Sequence, residues 1–205
     1  VRFLSANLIY EQATDFVSLQ TRVPAIYRST AKELAGLQRP RILKSHEYFD
    51  PRYPRVVYVV RDPRDVLVSY YHYSLRKGFI QESRSIEAFG DDFLQGRIDK
   101  FGTWFENASS WLAAREDTNN FLLVRYEDLR RDCERNLADV ARMLGIEPTQ
   151  AVLARAVEAS SFDRMKQLER ESPRDVVHLQ NKRADIPFVR KGVAGGWRQE
   201  LPESL

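Results

Sequence analysis

Residues 55–72 read RVVYVVRDPRDVLVSYYH and predict a buried strand that turns directly into a helix. The four valines and one tyrosine at 56–60 show no polar alternation, which suits a strand covered on both faces of a parallel sheet. Asp62 is a natural N-cap, and Pro63 fits the first helical position, where its missing N–H costs nothing. The stretch therefore predicts one strand–helix unit of an α/β fold.

This junction brings two anion-binding groups near one helix N-terminus. Arg61 stands at the carboxyl end of the strand, beside free backbone amides and a helix dipole that favour an anion. Ser69 follows the cap by about two helical turns and so shares its face. The pair indicates a phosphate site, although a surface arginine and an ordinary helix serine explain these two residues equally well.

The rest of the chain alternates in the same way. Strands are predicted at 41–45, 55–60 and 120–125, and helices at 1–19, 24–35, from 63 onward, 85–95, 102–116, 127–144, 149–159 and 161–170. Residues 171–187 are charged and aperiodic, which fits either a mobile lid or a disordered loop. The pattern predicts one domain over residues 1–205, an α/β doubly wound parallel sheet flanked by helices on both faces.

Composition limits the function classes. The chain has 205 residues, 43% of them hydrophobic, with a net charge of +3 and a pI of about 9.0. Arginines are interleaved with acidic residues, as in 127–132, rather than gathered into the basic stripe of a nucleic-acid binder. No apolar run approaches the ~18 residues of a membrane span. Cys133 is the only cysteine, which excludes an internal disulfide or Cys-based metal cluster and favours a cytoplasmic location.

Four motifs occur in a characteristic order: Lys44 with His46, Arg61 with Ser69, Tyr126-Glu127-Asp128, and RKGVAGGW at 190–197. In this order and spacing the chain resembles the cytosolic-type sulfotransferases over about residues 1–198. That family takes its sulfuryl group from 3′-phosphoadenosine 5′-phosphosulfate (PAPS) and releases adenosine 3′,5′-bisphosphate (PAP), without a metal. The resemblance implies a P-loop-NTPase-like fold.

The resemblance also implies roles for individual residues. His46 matches the general base that takes a proton from the acceptor, a role that suits imidazole because its ordinary pKa lies near neutrality. Lys44 matches a lysine that neutralises charge on the transferring sulfuryl oxygens. His72 and His178 match no family role and are interpreted as structural.

The nucleotide-binding residues follow from the same comparison. The residues implied for the 3′-phosphate are Arg61, Ser69, Arg190, Lys191 and the amide of Gly192, and those implied for the adenine are Tyr126, Ser160, Ser161 and Phe162. Other interpretations stay open, because Tyr126 also fits a core aromatic, Phe162 a helix staple, and residues 190–192 an exposed basic turn. Three glycines within 192–196 favour backbone close to a ligand.

One family motif is absent from these 205 residues. The 5′-phosphosulfate loop, Pro-Lys-Ser-Gly-Thr-Thr-Trp or a close relative, has no counterpart, and the segment after Trp197 does not match the family's C-terminal end. We therefore expect a chain that lacks the N-terminal strand with its loop and the C-terminal end. Such a polypeptide is expected to transfer sulfuryl groups slowly or not at all, because the transfer depends on positioned cations.

The sequence leaves three hypotheses open. The first is a PAPS-dependent sulfotransferase acting on a hydroxyl or amine, the second a degenerate or truncated relative that only binds the nucleotide, and the third a P-loop kinase. The acceptor is left open between a small molecule, such as a phenol, lipid or alcohol, and an acidic saccharide. The oligomeric state is also left open.

Overall fold

The computed structural model describes residues 1–37, 41–172, 176, 179, 183, 185–203 and 205. Two strands in this part of the chain, β1 (Val56–Val60) and β2 (Phe121–Arg125), pair in parallel from Val56 opposite Phe121 to Val60 opposite Arg125. The α-helices are α1 (Arg2–Ile9), α2 (Leu19–Arg22), α3 (Ala31–Ala35), α4 (Pro63–Lys77), α5 (Ile86–Leu94), α6 (Trp104–Arg115), α7 (Tyr126–Arg131), α8 (Cys133–Leu144), α9 (Gln150–Glu158) and α10 (Phe162–Glu171). Short 3-10 turns occupy Ile26–Arg28 and Gly196–Gln199.

Helices cover both faces of the strand pair. Val57, Leu122 and Val124 face a core cluster that α1, α8 and α9 complete. On the opposite face, the Trp111 ring of α6 packs on Tyr58 and Phe121, with ring centroids 6.1 and 6.5 Å apart. Alternate residues of a strand point to opposite faces, so both faces of this pair are apolar and both pack against helices, although Val59 and Leu123 remain exposed. The predicted α/β fold with a helix-flanked parallel sheet is confirmed.

A second core cluster fixes the backbone that leads to the RKG motif. Phe16 packs edge-on against Phe3 and Phe188, at centroid distances of 5.1 and 5.7 Å. The Glu169 carboxylate on α10 accepts hydrogen bonds from the backbone amides of Phe188 and Val189, at 2.5 and 2.8 Å. Arg190 follows directly, so this packing sets where the motif begins.

Local sequence signals correctly predicted where several helices begin or end. Asp62 accepts a hydrogen bond from the Arg64 amide at 2.9 Å, and Pro63 begins α4, as predicted. Gly145 ends α8 in the left-handed conformation, with φ of 76°. The helix predicted at 127–144 is divided, because the backbone of Asp132 is not helical (φ −141°, ψ 82°) and its carboxylate caps α8 by accepting from the Arg135 amide.

Two predictions at the N-terminal end were wrong in extent. The helix predicted at 1–19 ends at Ile9, because the chain folds back and the Asn7 side chain accepts a hydrogen bond from the Thr14 amide at 2.7 Å. The helix predicted at 24–35 is a 3-10 turn followed by α3, whose N-cap is Thr30.

The strand predicted at 41–45 is reduced to a single parallel bridge between Lys44 and Ala25. The segment that pairs with Lys44 turns into the 3-10 segment at Ile26, so within the described residues the pairing does not extend beyond this one bridge. Of the predicted lid at 171–187, residues 173–175, 177–178, 180–182 and 184 lie outside the described residues, as does His178.

Candidate active site

Arg61 joins three separate parts of the chain at the end of β1. Its guanidinium lies over the Tyr126 ring at 4.4 Å and donates a hydrogen bond to the Val193 carbonyl at 2.8 Å. It is also 3.4 Å from the buried Asp65 carboxylate. The buried Nε atom of Arg61 has no hydrogen-bond partner in the described part of the chain. A buried donor without an acceptor is costly, so this atom is suited to an anionic ligand.

Asp65 attaches the C-terminal motif to α4. Its two carboxylate oxygens accept hydrogen bonds from the backbone amides of Gly195 and Trp197, at 2.7 and 3.0 Å. The Arg64 guanidinium lies 3.7 Å from the Trp197 ring centroid and strengthens the same contact. Asp65 was not singled out from the sequence, although a carboxylate beside the apolar Val66 and Leu67 on a packed helix was a usable signal.

The RKG motif forms a cluster of charges around Glu200. Arg190 donates to this carboxylate at 2.9 Å, Lys191 at 2.9 Å and the His72 Nε2 at 2.8 Å. Burial alone would raise the pKa of Glu200, but these hydrogen bonds outweigh it and lower the pKa to about 2. Burial and the nearby Arg190 lower the pKa of His72, so its ring is neutral at pH 7 and donates as an ordinary N–H. His72 therefore shares a partner with the predicted phosphate residues.

Gly192 lies flat against Phe162. Its φ is 63°, and a Cβ at this position would lie 2.6 Å from the Phe162 Cδ2 atom. Both the backbone conformation and the close approach therefore require glycine. The contact brings together Gly192, which the resemblance assigns to the 3′-phosphate, and Phe162, which it assigns to the adenine.

The two predicted adenine serines already have partners in the protein. Ser160 Oγ accepts a hydrogen bond from Asn7 Nδ2 at 3.0 Å, and Ser161 caps α10 by accepting from the Arg164 amide. Ser69 lies on α4 with its side chain exposed, and within the described ranges no hydrogen bond joins it to Arg61. That these three serines contact the ligand stays a prediction.

Lys44 and His46 lie in a cluster of aromatic rings. The Tyr27 ring stacks on the His46 imidazole with centroids 5.8 Å apart, and Phe101 lies 5.6 Å from that imidazole. The Lys44 ammonium donates a hydrogen bond to the Tyr27 hydroxyl at 2.7 Å. Burial, reinforced by Arg2 and Arg28, lowers the pKa of Lys44 to about 8. Burial and the charge of Lys44 lower the pKa of His46 to about 4, so its imidazole is neutral at pH 7.

Further contacts hold His46 in place. Asn107 on α6 donates to the His46 carbonyl at 3.1 Å and accepts a hydrogen bond from the Tyr58 hydroxyl of β1 at 2.9 Å. Asp99 lies near enough to oppose the lowering of the His46 pKa, and it accepts a hydrogen bond from the Phe101 amide. Tyr27, Asn107 and Asp99 were not predicted, because each reaches His46 only through the tertiary fold.

The described part of the chain contains neither a group of metal ligands nor a helix able to cross a membrane. Within 1–37, 41–172 and the later described positions, no three His, Cys, Asp or Glu side chains gather as metal ligands would. No helix among these residues combines the length and apolar character needed to span a bilayer.

Comparison with known proteins places this arrangement in a family. The family model described as the sulfotransferase domain matches residues 5–205. Sulfotransferase 2A1 of Homo sapiens is 33% identical over 82% of this chain, and the 3-beta-hydroxysteroid sulfotransferase of Cavia porcellus is 31% identical over 90% of it. The chain spans about 60% of the length of the former and 66% of the latter.

Solved structures agree in fold. Retinol dehydratase in complex with androsterone and the inactive cofactor PAP superposes with a TM-score of 0.72 at 26% identity, over 84% of this chain and 52% of that protein. Mouse sulfotransferase SULT7A1 complexed with PAP gives a TM-score of 0.70 at 25% identity, over 84% and 64% of the two chains. Because the family match covers nearly the whole sequence, the chain belongs to the sulfotransferase family.

Proposed function

We propose that the protein is a PAPS-dependent sulfotransferase that moves a sulfuryl group to a hydroxyl or amine acceptor. The observation that carries the proposal is that four distant segments of the chain meet near Arg61. Arg61 contacts the Tyr126 ring and the Val193 carbonyl, and Gly192, the residue before Val193, lies against Phe162. These residues offer cations, a tightly approaching backbone and aromatic rings, which are what the phosphate and the base of a nucleotide require.

The residues present fit a 3′-phosphorylated adenine nucleotide. The buried Nε of Arg61 lacks a partner within the described residues, and Arg190 and Lys191 supply two more cations beside Gly192. We assign the 3′-phosphate to Arg61, Arg190, Lys191 and the Gly192 amide, and the adenine to Phe162 and Tyr126. The relatives solved with PAP support this choice of nucleotide.

The chemistry that the chain itself supplies is proton transfer and charge stabilisation. PAPS, when bound, provides an activated sulfuryl group. His46 takes the proton of the acceptor hydroxyl or amine, because its lowered pKa leaves the imidazole free as a base at pH 7. Lys44, positively charged below pH 8, stabilises negative charge on the oxygens of the group in transfer.

The acceptor is proposed only as a class. The sulfotransferase relatives include a 3-beta-hydroxysteroid sulfotransferase, and retinol dehydratase was solved with androsterone. We therefore propose a small-molecule acceptor, with a saccharide as the other class to be screened. The cytoplasmic location, the single domain and the absence of nucleic-acid partners remain predictions.

Calorimetry with PAP and 5′-AMP tests the nucleotide assignment. The polypeptide is expected to prefer PAP, and the Arg61→Ala and Arg190→Ala variants to lose most of that preference. Each lost charge-assisted contact of about 1.5–3 kcal/mol corresponds to roughly 10- to 150-fold in affinity. Arg142→Ala is the matched control, because that exposed arginine, within the described residues, pairs with Asp139 on the surface of α8. Equal binding of PAP and 5′-AMP by the folded protein would contradict the assignment.

A transfer assay on the longest chain that the gene encodes separates an enzyme from a relative that only binds nucleotide. PAPS-dependent sulfation of an acceptor in the presence of EDTA is the expected result. PAP binding without turnover across phenols, steroids, alcohols and acidic saccharides would favour the binding-only hypothesis.

A further inference from the structure

Tyr27 contacts both residues proposed to act on the transferred group. Its hydroxyl accepts a hydrogen bond from Lys44 Nζ at 2.7 Å, and its ring stacks on the His46 imidazole with an interplanar angle of 21°. Phe101 packs against the Tyr27 ring at 5.5 Å and closes the cluster. One side chain therefore connects the lysine and the histidine.

The backbone brings Tyr27 to this place. The Lys44 amide donates to the Pro24 carbonyl and the Ile26 amide donates to the Lys44 carbonyl, each at 2.9 Å. This parallel bridge aligns residues 24–26 with Lys44, and the 3-10 turn at Ile26–Arg28 directs the next side chain toward it. The contact thus follows from the register of two segments rather than from a flexible surface side chain.

We propose that Tyr27 is a positioning residue of the transfer site, which holds the Lys44 ammonium and the His46 imidazole in a fixed relation to each other. The inference rests on the roles proposed above for Lys44 and His46. It assigns no proton transfer to Tyr27 itself.

A phenol suits this task better than a carboxylate would. Lysine has a long flexible stem, and a single acceptor restricts its ammonium group. A carboxylate would do the same but would also neutralise the positive charge that transfer requires. Burial raises the pKa of Tyr27, so its hydroxyl is uncharged at neutral pH and leaves the lysine cationic. Within the described residues the Lys44 ammonium is held by the Tyr27 hydroxyl, and no carboxylate is among the groups that shift its pKa.

The ring of Tyr27 acts on His46 by covering one face of the imidazole. A covered imidazole loses water from that face, which disfavours its charged form. The charged groups that influence this cluster are Arg2, Arg28, Asp99 and Glu47. Removing the hydroxyl should therefore affect Lys44, whereas removing the whole ring should affect His46 as well.

NMR titration of selectively labelled protein tests these two effects without requiring turnover. In Tyr27→Phe the ammonium loses the acceptor that favours its charged form while the ring keeps the site buried, so the Lys44 pKa is expected to fall by up to about one unit further below its ordinary value. The His46 pKa should stay low in that variant but rise by at least about one unit in Tyr27→Ala. Tyr53→Phe is the control, because Tyr53 stacks on Trp111 and its hydroxyl lies near Ser45 rather than Lys44.

Kinetics on the longest encoded chain add a second readout. Tyr27→Phe should lower kcat by about tenfold and leave the PAP dissociation constant unchanged, because the nucleotide residues are untouched. Unchanged titrations of Lys44 and His46 in both variants would overturn the inference. If wild-type protein binds no PAP and shows no turnover, the proposed function fails, yet the titrations still decide whether Tyr27 positions the two side chains.

Discussion

The molecule holds its cations in two different ways. Around Glu200, Arg190 and Lys191 are paired with a carboxylate whose pKa is lowered to about 2. Around Tyr27, Lys44 is held by a neutral hydroxyl and by aromatic rings, and its pKa is lowered to about 8. We call these the Glu200 cluster and the Tyr27 cluster.

The difference has a physical meaning. In the Glu200 cluster the carboxylate compensates the positive charge, so the arrangement is stable before any ligand arrives. In the Tyr27 cluster the partner of Lys44 within the described residues is a neutral hydroxyl, and burial lowers the Lys44 pKa to about 8, so its protonation is sensitive to pH. The first arrangement suits binding of a nucleotide, and the second suits stabilisation of charge that develops during a reaction.

Replacing His46 gives the largest expected effect, and it separates the two clusters. His46→Ala should lower kcat by about 10²- to 10⁴-fold, the usual contribution of a general base. PAP affinity should change less than about twofold, because the Glu200 cluster is intact. Transfer kinetics and calorimetry on the same preparation measure both quantities. Added imidazole should restore part of the rate, whereas a loss below tenfold would remove His46 from the chemistry.

The pH profile of kcat/KM tests the protonation states of the Tyr27 cluster. His46 loses its function as a base when protonated, so the rate should fall as pH decreases through about 4. Lys44 loses its charge when deprotonated, so the rate should fall as pH increases through about 8. Each limb has a limiting slope of about tenfold per pH unit.

Lys44→Arg tests the upper limb of that profile. Arginine keeps its charge throughout this range, so the fall above pH 8 should disappear even if the plateau is lower. An unchanged upper limb in this variant would assign the titration to another group.

The sequence predicted the parts of the fold that depend on local signals. The cap of α4 by Asp62 and the glycine end of α8 lie within a few residues of the elements they define. The helix predicted at 1–19 failed because the contact between Asn7 and Thr14 competes with helical hydrogen bonds. The strand predicted at 41–45 failed because its neighbour turns away after one bridge, which depends on the path of another segment.

In the candidate site, too, residues in short motifs were predicted and residues that act through long-range contacts were missed. The resemblance identified Arg61, Tyr126, Phe162 and Gly192 in advance. The structure joins them through three contacts: Arg61 with the Tyr126 ring, Arg61 with the Val193 carbonyl, and Gly192 with Phe162. Asp65 and Tyr27 were missed, since each acts on residues 130 or 17 positions away. No periodicity or short motif reports such contacts.

Glu200→Gln gives the smallest expected effect and tests the Glu200 cluster directly. The variant keeps the size and one acceptor of Glu200 but removes the negative charge that faces the proposed phosphate position. PAP should bind about fivefold more tightly, as expected for about 1 kcal/mol of charge repulsion at an effective dielectric between those of water and the protein surface. Glu203→Gln is the matched control, because it removes the same charge from an exposed position three residues away.

The same variant should also alter acid stability, with a sign fixed by the pKa of Glu200. Because folding lowers this pKa from 4.5 to about 2, the carboxylate stabilises the folded chain fully above pH 4.5 and loses that effect as pH falls toward 2. Urea unfolding should therefore show wild type more stable than Glu200→Gln at pH 7, with the difference shrinking below pH 4.5. Weaker PAP binding by Glu200→Gln would mean that the carboxylate orients Arg190 and Lys191 for the phosphate. In that case the Glu200 carboxylate, by pairing with the two cations, would prepare the site for the phosphate rather than oppose its binding.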